Sequence, residues 1–326
     1  MRDALCPLRF EPIFKPAIWG GDALRPMLGA APSAEPTGEA WLLSDQGDNL
    51  SRVVEGPLAG TTLRDLMRTR RQELIGDAPA PSGRFPLLLK FLDARQPLSV
   101  QVHPNDEQAK QMEPAGAGLG KTEAWVILNA EPHSLLFAGL RPGVDAQQLR
   151  AALEGSTLPE IMHSYAPRPG DCVFLEAGTI HAIGAGLQLF EVQQTSDITY
   201  RLYDWGRVDA GTGEPRQLHI EQALQCTNAE RGPCDSMQPL TIERERERLV
   251  DCRHFTLDRI RSEQPFAVGA QRLCRILVCI EGKLILHHRG QEYPLRFGDV
   301  LLLPASIGVG ECIPQGLATI LECGIP

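Results

Sequence analysis

The sequence predicts a mainly β protein, two jelly-roll barrels carrying a few inserted helices, and three observations support it. Short apolar segments bounded by Gly, Pro and Asp dominate the chain. Helical periodicity is confined to two stretches. A segment near the middle, GDCVFLEAGTIHAI (170–183), is echoed by GDVLLLPASIGVG (298–310), each a Gly-Asp turn, an apolar strand and a small-residue turn. Two such copies point to two barrels, an architecture that hides strand edges.

In chain order, TTLRDLMRTRRQELIG reads as a helix, opened by Thr, with Leu63, Leu66, Met67 and Leu74 on one side and Gly76 as its stop. RFPLLLKFLDA, PLSVQVHP and EAWVILNA read as strands. VDAQQLRAALEGSTLPEIMHS reads as a second helix or a helix pair, and GDCVFLEAG and LQLFEVQQ as further strands. The polar, Gly/Pro-containing CTNAERGPCDSMQP (226–239) is the expected boundary between a larger domain, residues 1–228, and a smaller C-terminal barrel, residues 229–326. Within the latter, IERERERLV alternates charges whose signs cancel, and reads as the solvated face of a strand or a short linker.

The 326 residues suffice for two domains, and 43% hydrophobic with 22% charged residues is the composition of a folded globular protein. No apolar run approaches the roughly 18–20 residues of a membrane span. The N-terminal MRDALCPLRFEP lacks the basic-then-apolar layout of a secretory signal, so a cytoplasmic protein without a membrane partner is expected. Nine cysteines, scattered without a CxxC pair, fit neither a disulfide framework nor a thiolate zinc site, and are expected to be reduced. A net charge of −9 with no basic stripe argues against nucleic acid. An anionic small molecule would need local positive charge, which marks lysines and arginines set inside apolar strands.

Residues two apart on a strand share a face, so Gln101 and His103 project together from PLSVQVHP. The bland account of His103 is a strand-end residue near a turn. GKTEAWVIL puts Lys121, Glu123 and Trp125 on one face. A strand glutamate is costly to bury unless compensated, either by a salt bridge to Lys121 or Arg201 or by a metal ion. His181 follows a Gly-Thr turn, and the next strand carries Leu187, Leu189, Glu191 and Gln193 on one face. One amide oxygen, two imidazoles and one carboxylate would suit a divalent ion such as zinc, with a position left open. Arg201 in SDITYRLYDWGR is placed to stabilise an oxyanion, and Lys90 and Ser99 are suited to phosphate.

The blocks FEPIFKPAIWGG, GEAWLLSD, FPLLLKFLDARQPLSVQVHPND, GKTEAWVIL and GDCVFLEAGTIHAIGAGLQLFEVQQTSDITYRLYDWGR together resemble the type I mannose-6-phosphate isomerases, in particular their short bacterial form. The C-terminal third shows only the barrel echo. The resemblance implies a cupin (double-stranded β-helix) fold and one Zn2+ per chain. It further implies interconversion of mannose 6-phosphate and fructose 6-phosphate by proton transfer through a cis-enediol(ate). Carried over by motif, the zinc ligands fall on Gln101, His103, Glu123 and His181. The catalytic arginine falls on Arg201, the active-site lysine on Lys121, an acidic active-site residue on Glu191, and phosphate contacts on Ser99 and Lys90. Lys121 is the implied general base, with Glu191 and a zinc-bound water as competitors. The expected partner is a phosphorylated hexose, bound by a monomer.

The long eukaryotic and enterobacterial pattern has a His immediately before that lysine. Here the position is Gly120, and the long form's helical insertion is missing, so no mechanism relying on that His carries over. Two other classes remain in view. A cupin oxygenase would need iron at a His-rich site, where Gln101 stands instead. A non-catalytic or differently specific phosphosugar-binding cupin would not need Lys121 and Arg201.

Overall fold

The computed structural model describes residues 5–80, 82–113, 118–208 and 213–326. The first half of the chain builds two antiparallel sheets. One runs, in spatial order, through Cys172–Leu175, Glu123–Ala130, Leu187–Gln194, Leu87–Ala94, Ile13–Gly21 and Thr37–Leu43. The other runs through Met162–Tyr165, Leu136–Leu140, His181–Ile183, Val100–Val102 and Tyr200–Tyr203. Trp19, Leu92, Trp125, Ile127, Leu189, Leu136, Ala138 and Ile183, drawn from both sheets and the connecting chain, form one buried cluster, so a core lies between the sheets.

Alternation explains why the strands of the larger sheet look apolar throughout. On Leu87–Ala94, Leu92 and Ala94 enter the core between the sheets, whereas Leu87, Leu89 and Phe91 enter a second core on the other side. Trp125 and Ile127 likewise point inward, and Ala124 and Val126 outward. A sheet buried on both faces reads as a continuous apolar run. A polar residue in such a run therefore has to be accounted for by its partners, and Lys90, Glu123 and Glu191 are three such residues.

The second half repeats the plan. Val300–Leu303, Arg275–Glu281, Ala318–Gly324 and Thr256–Ser262 lie side by side in the same order as Cys172–Leu175, Glu123–Ala130, Leu187–Gln194 and Leu87–Ala94. Gln291–Arg296, Lys283–His288, Val309–Pro314 and Phe266–Gly269 repeat the order of the smaller sheet from Met162–Tyr165 to Val100–Val102. The echoed Gly-Asp turn is built identically in both halves. Gly170 and Gly298 adopt φ of 91° and 88°, which favours glycine. The Asp171 and Asp299 carboxylates each accept from the backbone N–H three residues earlier, at 2.8 and 2.9 Å. The outer face of the larger first sheet packs against Leu257, Ile276, Val278, Leu302 and Leu321 of the second half. One strand crosses between halves: Leu8–Arg9 pairs with Val300–Leu303.

The helix expected at 61–76 spans Leu63–Leu74, with Thr62 as N-cap accepting from the Asp65 N–H. The second stretch is a helix pair, Ala146–Glu154 and Leu158–Ile161, the first opened by a capping box on Asp145. Three helices were not anticipated, Leu24–Met27, Asp106–Met112 and Ile220–Cys226. Residues 242–244 of IERERERLV are exposed as expected, but the rest is not a solvated face. Its strand Arg246–Asp251 turns Arg246 and Arg248 toward Asp258, and Arg246 also reaches Glu322, so its ion pairs are largely buried. All nine cysteines are free.

Candidate metal centre and active site

Strand Val100–Val102 lies at the middle of the site because of its neighbours. Gln101 is the cross-strand partner of His181 on one side and of Arg201 on the other. His103 follows directly, and the larger sheet supplies Glu123 with its cross-strand partner Gln193. Three chain segments distant in sequence thus deliver one amide and two imidazoles around one carboxylate. Ligand atoms of His103, Glu123 and His181 lie within 4.8 Å of one another, and this trio could hold a metal ion.

The imidazoles are oriented by their outer nitrogens. His103 Nδ1 bonds the Ile198 carbonyl at 2.8 Å, and His181 Nδ1 bonds the Thr179 carbonyl at 2.9 Å. Each Nδ1 therefore carries the proton, leaving both Nε2 atoms as bare lone pairs turned inward. His181 Nε2 lies 3.2 Å and His103 Nε2 3.7 Å from Glu123 Oε1. Neither lone pair has a proton to share with the carboxylate. His103 Nε2 and both Glu123 oxygens complete no hydrogen bond although they are fully buried. The Gln101 amide nitrogen donates to His181 Nε2 at 3.2 Å, which sets Gln101 beside the trio.

Two lysines and two further carboxylates surround the trio. Lys121 Nζ lies 3.0 Å from Glu123 Oε2 and 4.0 Å from Glu191 Oε1. Lys90 Nζ lies 3.5 Å from Glu191 and 3.2 Å from Glu39, and 5.0 Å from the centre of the Trp41 ring. Trp125 Nε1 donates to Glu191 Oε2 at 2.9 Å, and its ring stands edge-on to His181. The salt bridge foreseen as the bland account of Glu123 is thus present, with Lys121. It does not explain two imidazole lone pairs aimed at the same carboxylate.

The electrostatics express an unmet demand for positive charge. Burial pushes the Glu123 carboxyl up to about 7, with Lys121 opposing the rise and Glu191 adding to it. Burial and then nearby Lys121 hold His103 well below the ordinary imidazole range. Burial brings His181 down to about 4, although its bond to Thr179 opposes this. Glu191 resists burial and stays below the usual carboxylate range because Lys121, Lys90 and Trp125 stabilise its anion. Burial also disfavours the Lys90 charge, but Glu39, Glu191 and Asp197 more than offset it and raise the pKa. With both imidazoles neutral, Glu39, Glu123 and Glu191 outnumber Lys90 and Lys121 by one charge. A divalent cation among these donors matches the orphaned atoms, the neutral imidazoles and the charge deficit together.

The far end of the site is cationic. Arg201 Nε donates to Ser99 Oγ at 3.1 Å, and another guanidinium nitrogen to the Gln217 carbonyl at 2.9 Å. Arg207 and Arg216 both bind the Asp204 carboxylate, leaving this cluster positive overall. The structure thus brings Gln101, His103, Glu123, His181, Lys121 and Glu191 together, with Lys90 behind Glu191 and Ser99 at the Arg201 end. Glu39 and Trp125 complete the charge pairing and were not singled out from the sequence. GEAWLLSD and the shared face of Glu123 and Trp125 were the available signals.

Comparison with known proteins agrees with this geometry. Residues 8–125 match the family model described as phosphomannose isomerase type I, catalytic domain. The chain is 35% identical to the mannose-6-phosphate isomerase ManA of Bacillus subtilis, over 97% of both chains. It is 33% identical to a mannose-6-phosphate isomerase of Streptococcus mutans, over 92% of this chain and 93% of the other. The crystal structure of the mannose 6-phosphate isomerase from Bacillus subtilis superposes with a TM-score of 0.88 at 30% identity, covering 97% of this chain and 99% of that one. Its cupin barrels, its His/Glu/His centre and these matches along nearly its whole length place the chain in the type I mannose-6-phosphate isomerase family.

Proposed function

We propose that the protein interconverts mannose 6-phosphate and fructose 6-phosphate with one Zn2+ held by Gln101, His103, Glu123 and His181. The observation that carries this reading is the pair of inward Nε2 lone pairs facing a buried carboxylate whose other oxygen sits on a lysine. The reaction moves a proton from C2 to C1 of the open-chain sugar through a cis-enediol(ate), and negative charge develops on the C1 and C2 oxygens. When bound, the ion supplies a Lewis acid beside those oxygens.

The remaining roles belong to side chains. Lys121, acting as the free amine, takes the proton from C2 and returns it to C1, its Nζ lying between Glu123 and Glu191. Glu191, held anionic by Lys90 and Trp125, balances the ammonium that forms when Lys121 takes the proton and keeps the amine oriented. Arg201, one strand away from Gln101, stabilises developing oxyanion charge. Of the two phosphate candidates Ser99 is favoured over Lys90, because Lys90 is already paired with two carboxylates. Residues 1–228 act as the catalytic cupin domain and 229–326 as a second, degenerate barrel. The separation of their sheets supports that division, with Leu8–Arg9 as the crossing strand.

A coupled assay of fructose 6-phosphate formation from mannose 6-phosphate, with protein as purified, after chelation and after zinc is restored, tests the reading. Turnover that chelation abolishes and zinc restores is the expected result. A folded, zinc-loaded protein that binds the sugar phosphate without turning it over would instead make it a phosphosugar-binding cupin.

A further inference from the structure

Lys121 is asked to hold its amine within reach of two carboxylates, yet it lies outside regular structure. The ladder that fixes this part of the chain begins at Glu123, which pairs with Leu175 on one side and Gln193 on the other. Residues 119–122 precede it and have no strand partner. Their backbone is held by another set of contacts. Gly120 N–H donates to Asp106 Oδ1 at 2.8 Å, and Lys121 N–H to the Pro104 carbonyl at 3.0 Å. Thr122 N–H donates to Gln194 Oε1 at 3.0 Å, and the Thr122 carbonyl accepts from the Gln194 N–H at 3.2 Å. Gln194 Nε2 donates to Asp106 Oδ1 at 3.0 Å, joining the two anchors.

We propose that Asp106 and Gln194 are positioning residues for Lys121, a two-residue clip that grips the backbone on either side of it. The assignment rests on the isomerase reading above. The grip is tight because there is no room to slide. A Cβ on Gly120 would stand 2.5 Å from Asp106 N and 2.6 Å from the Asn105 carbonyl carbon, so the chain runs hard against the start of helix Asp106–Met112. That helix start is itself fixed by the Asn105–Gln108 capping box. Among the described residues, neither side chain bonds a donor atom of the metal centre. Gln194 follows the inward Gln193, and alternation turns it away toward Thr122 and Asp106. Glu123 is held by its ladder on both sides, so the clip governs the lysine and not the metal donors.

The test compares Asp106→Ala and Gln194→Met, which remove the side-chain grip, with Asp106→Asn, whose amide oxygen still accepts both bonds. Glu107→Ala is the control, since it removes a neighbouring first-turn charge from the same helix with no bond to the 119–122 segment. Steady-state kinetics on mannose 6-phosphate, zinc content and amide hydrogen exchange of the 118–122 segment are read for each protein. Misplacing a catalytic group by about 1 Å can cost about 100-fold in rate, so kcat should fall by about 10- to 100-fold in the first two variants. Their KM and zinc content should stay at wild-type values, and exchange at Gly120 or Thr122 should quicken. Asp106→Asn and Glu107→Ala should behave as wild type.

A folded Asp106→Ala or Gln194→Met protein with wild-type kcat overturns the inference, as does a rate loss matched by loss of zinc. If Asp106→Ala does not fold, Gln194→Met carries the same test. A wild-type protein without turnover overturns the isomerase reading and the positioning role with it. An active wild type with indifferent variants overturns the positioning role alone.

Discussion

Counting from the shared Gly-Asp turn aligns the two barrels residue by residue. Ile127 and Cys279 close that turn with the same pair of backbone bonds, so Glu123 and Arg275, four residues earlier, occupy equivalent positions. Register then matches Glu191 with Glu322, partners of Trp125 and Leu277, and Lys90 with Asp258 on the adjoining strand. His181 corresponds to Val309 and its partner Gln101 to Gly269. The scaffold is therefore common to both, and the chemistry is set by a few side chains on it. In the first barrel a carboxylate stands among imidazoles and calls for a cation. In the second, an arginine stands at that position, and Arg246 and Arg275 neutralise the Glu322 that corresponds to Glu191. The second barrel carries its own cations where the first offers a cluster that could hold one.

The sharpest way to break this comparison is to alter the equivalent positions one at a time. Glu123→Gln should lower kcat by about 10^3-fold or more with loss of bound metal, while Arg275→Gln leaves both within about twofold, as expected for sites that do not share partners. Kinetics and elemental analysis of both variants decide it. Loss of metal from Arg275→Gln would mean that the barrels are not separate in function.

The next effect is on stability. Arg246 bonds Asp258 and Glu322 at 3.0 Å each, and Glu322 is only 4% exposed. Arg246→Ala leaves the buried Glu322 with only Arg275 and the Gly269 N–H, for a cost of about 1–3 kcal/mol read from the urea midpoint, with kcat per folded molecule unchanged. A midpoint equal to wild type would show that water or Arg275 serves Glu322 equally well.

A smaller effect appears in the pH dependence of the chelated protein. His181 sits near 4 when folded against 6.5 when unfolded, so its contribution to stability is full above pH 6.5 and is lost as pH falls toward 4. Glu123, raised to about 7 from 4.5, acts in the opposite sense: its contribution is present below pH 4.5 and lost as pH rises through 7. His181→Asn should therefore lose less Tm than wild type between pH 6.5 and 4. Equal slopes would mean that the imidazole is not held neutral.

Much of the site was legible because alternation along a strand is local. The shared face of Gln101 with His103 followed from counting residues and the paired Gly-Asp turns announced the repeat, whereas Lys121 meets Glu123 from outside the strand that alternation assigned to it. The helix Asp106–Met112 was also legible in principle, since Asn105 and Gln108 spell a capping box. The inward turn of Arg246 and Arg248 was not, because alternating charge looks the same on a wet face and opposite Asp258. The pairing of Lys90 with Glu39 depends on which strands become neighbours, a non-local fact. Gly120 was noticed as a departure from the long form. Its reason, backbone packed against backbone, appears only in three dimensions.

The strands that carry Lys90, Glu123 and Glu191 have no water-facing back. Leu87, Leu89, Phe91, Ala124, Val126, Phe190 and Val192 all press into the core shared with the second barrel. Cutting the chain near residue 228 would leave a broad oily sheet naked behind the metal centre, and would strip Leu8–Arg9 of the strand it pairs with. The second barrel thus shields the apolar back of the sheet that carries the candidate metal centre, and a fragment made without it is expected to stick to its own copies.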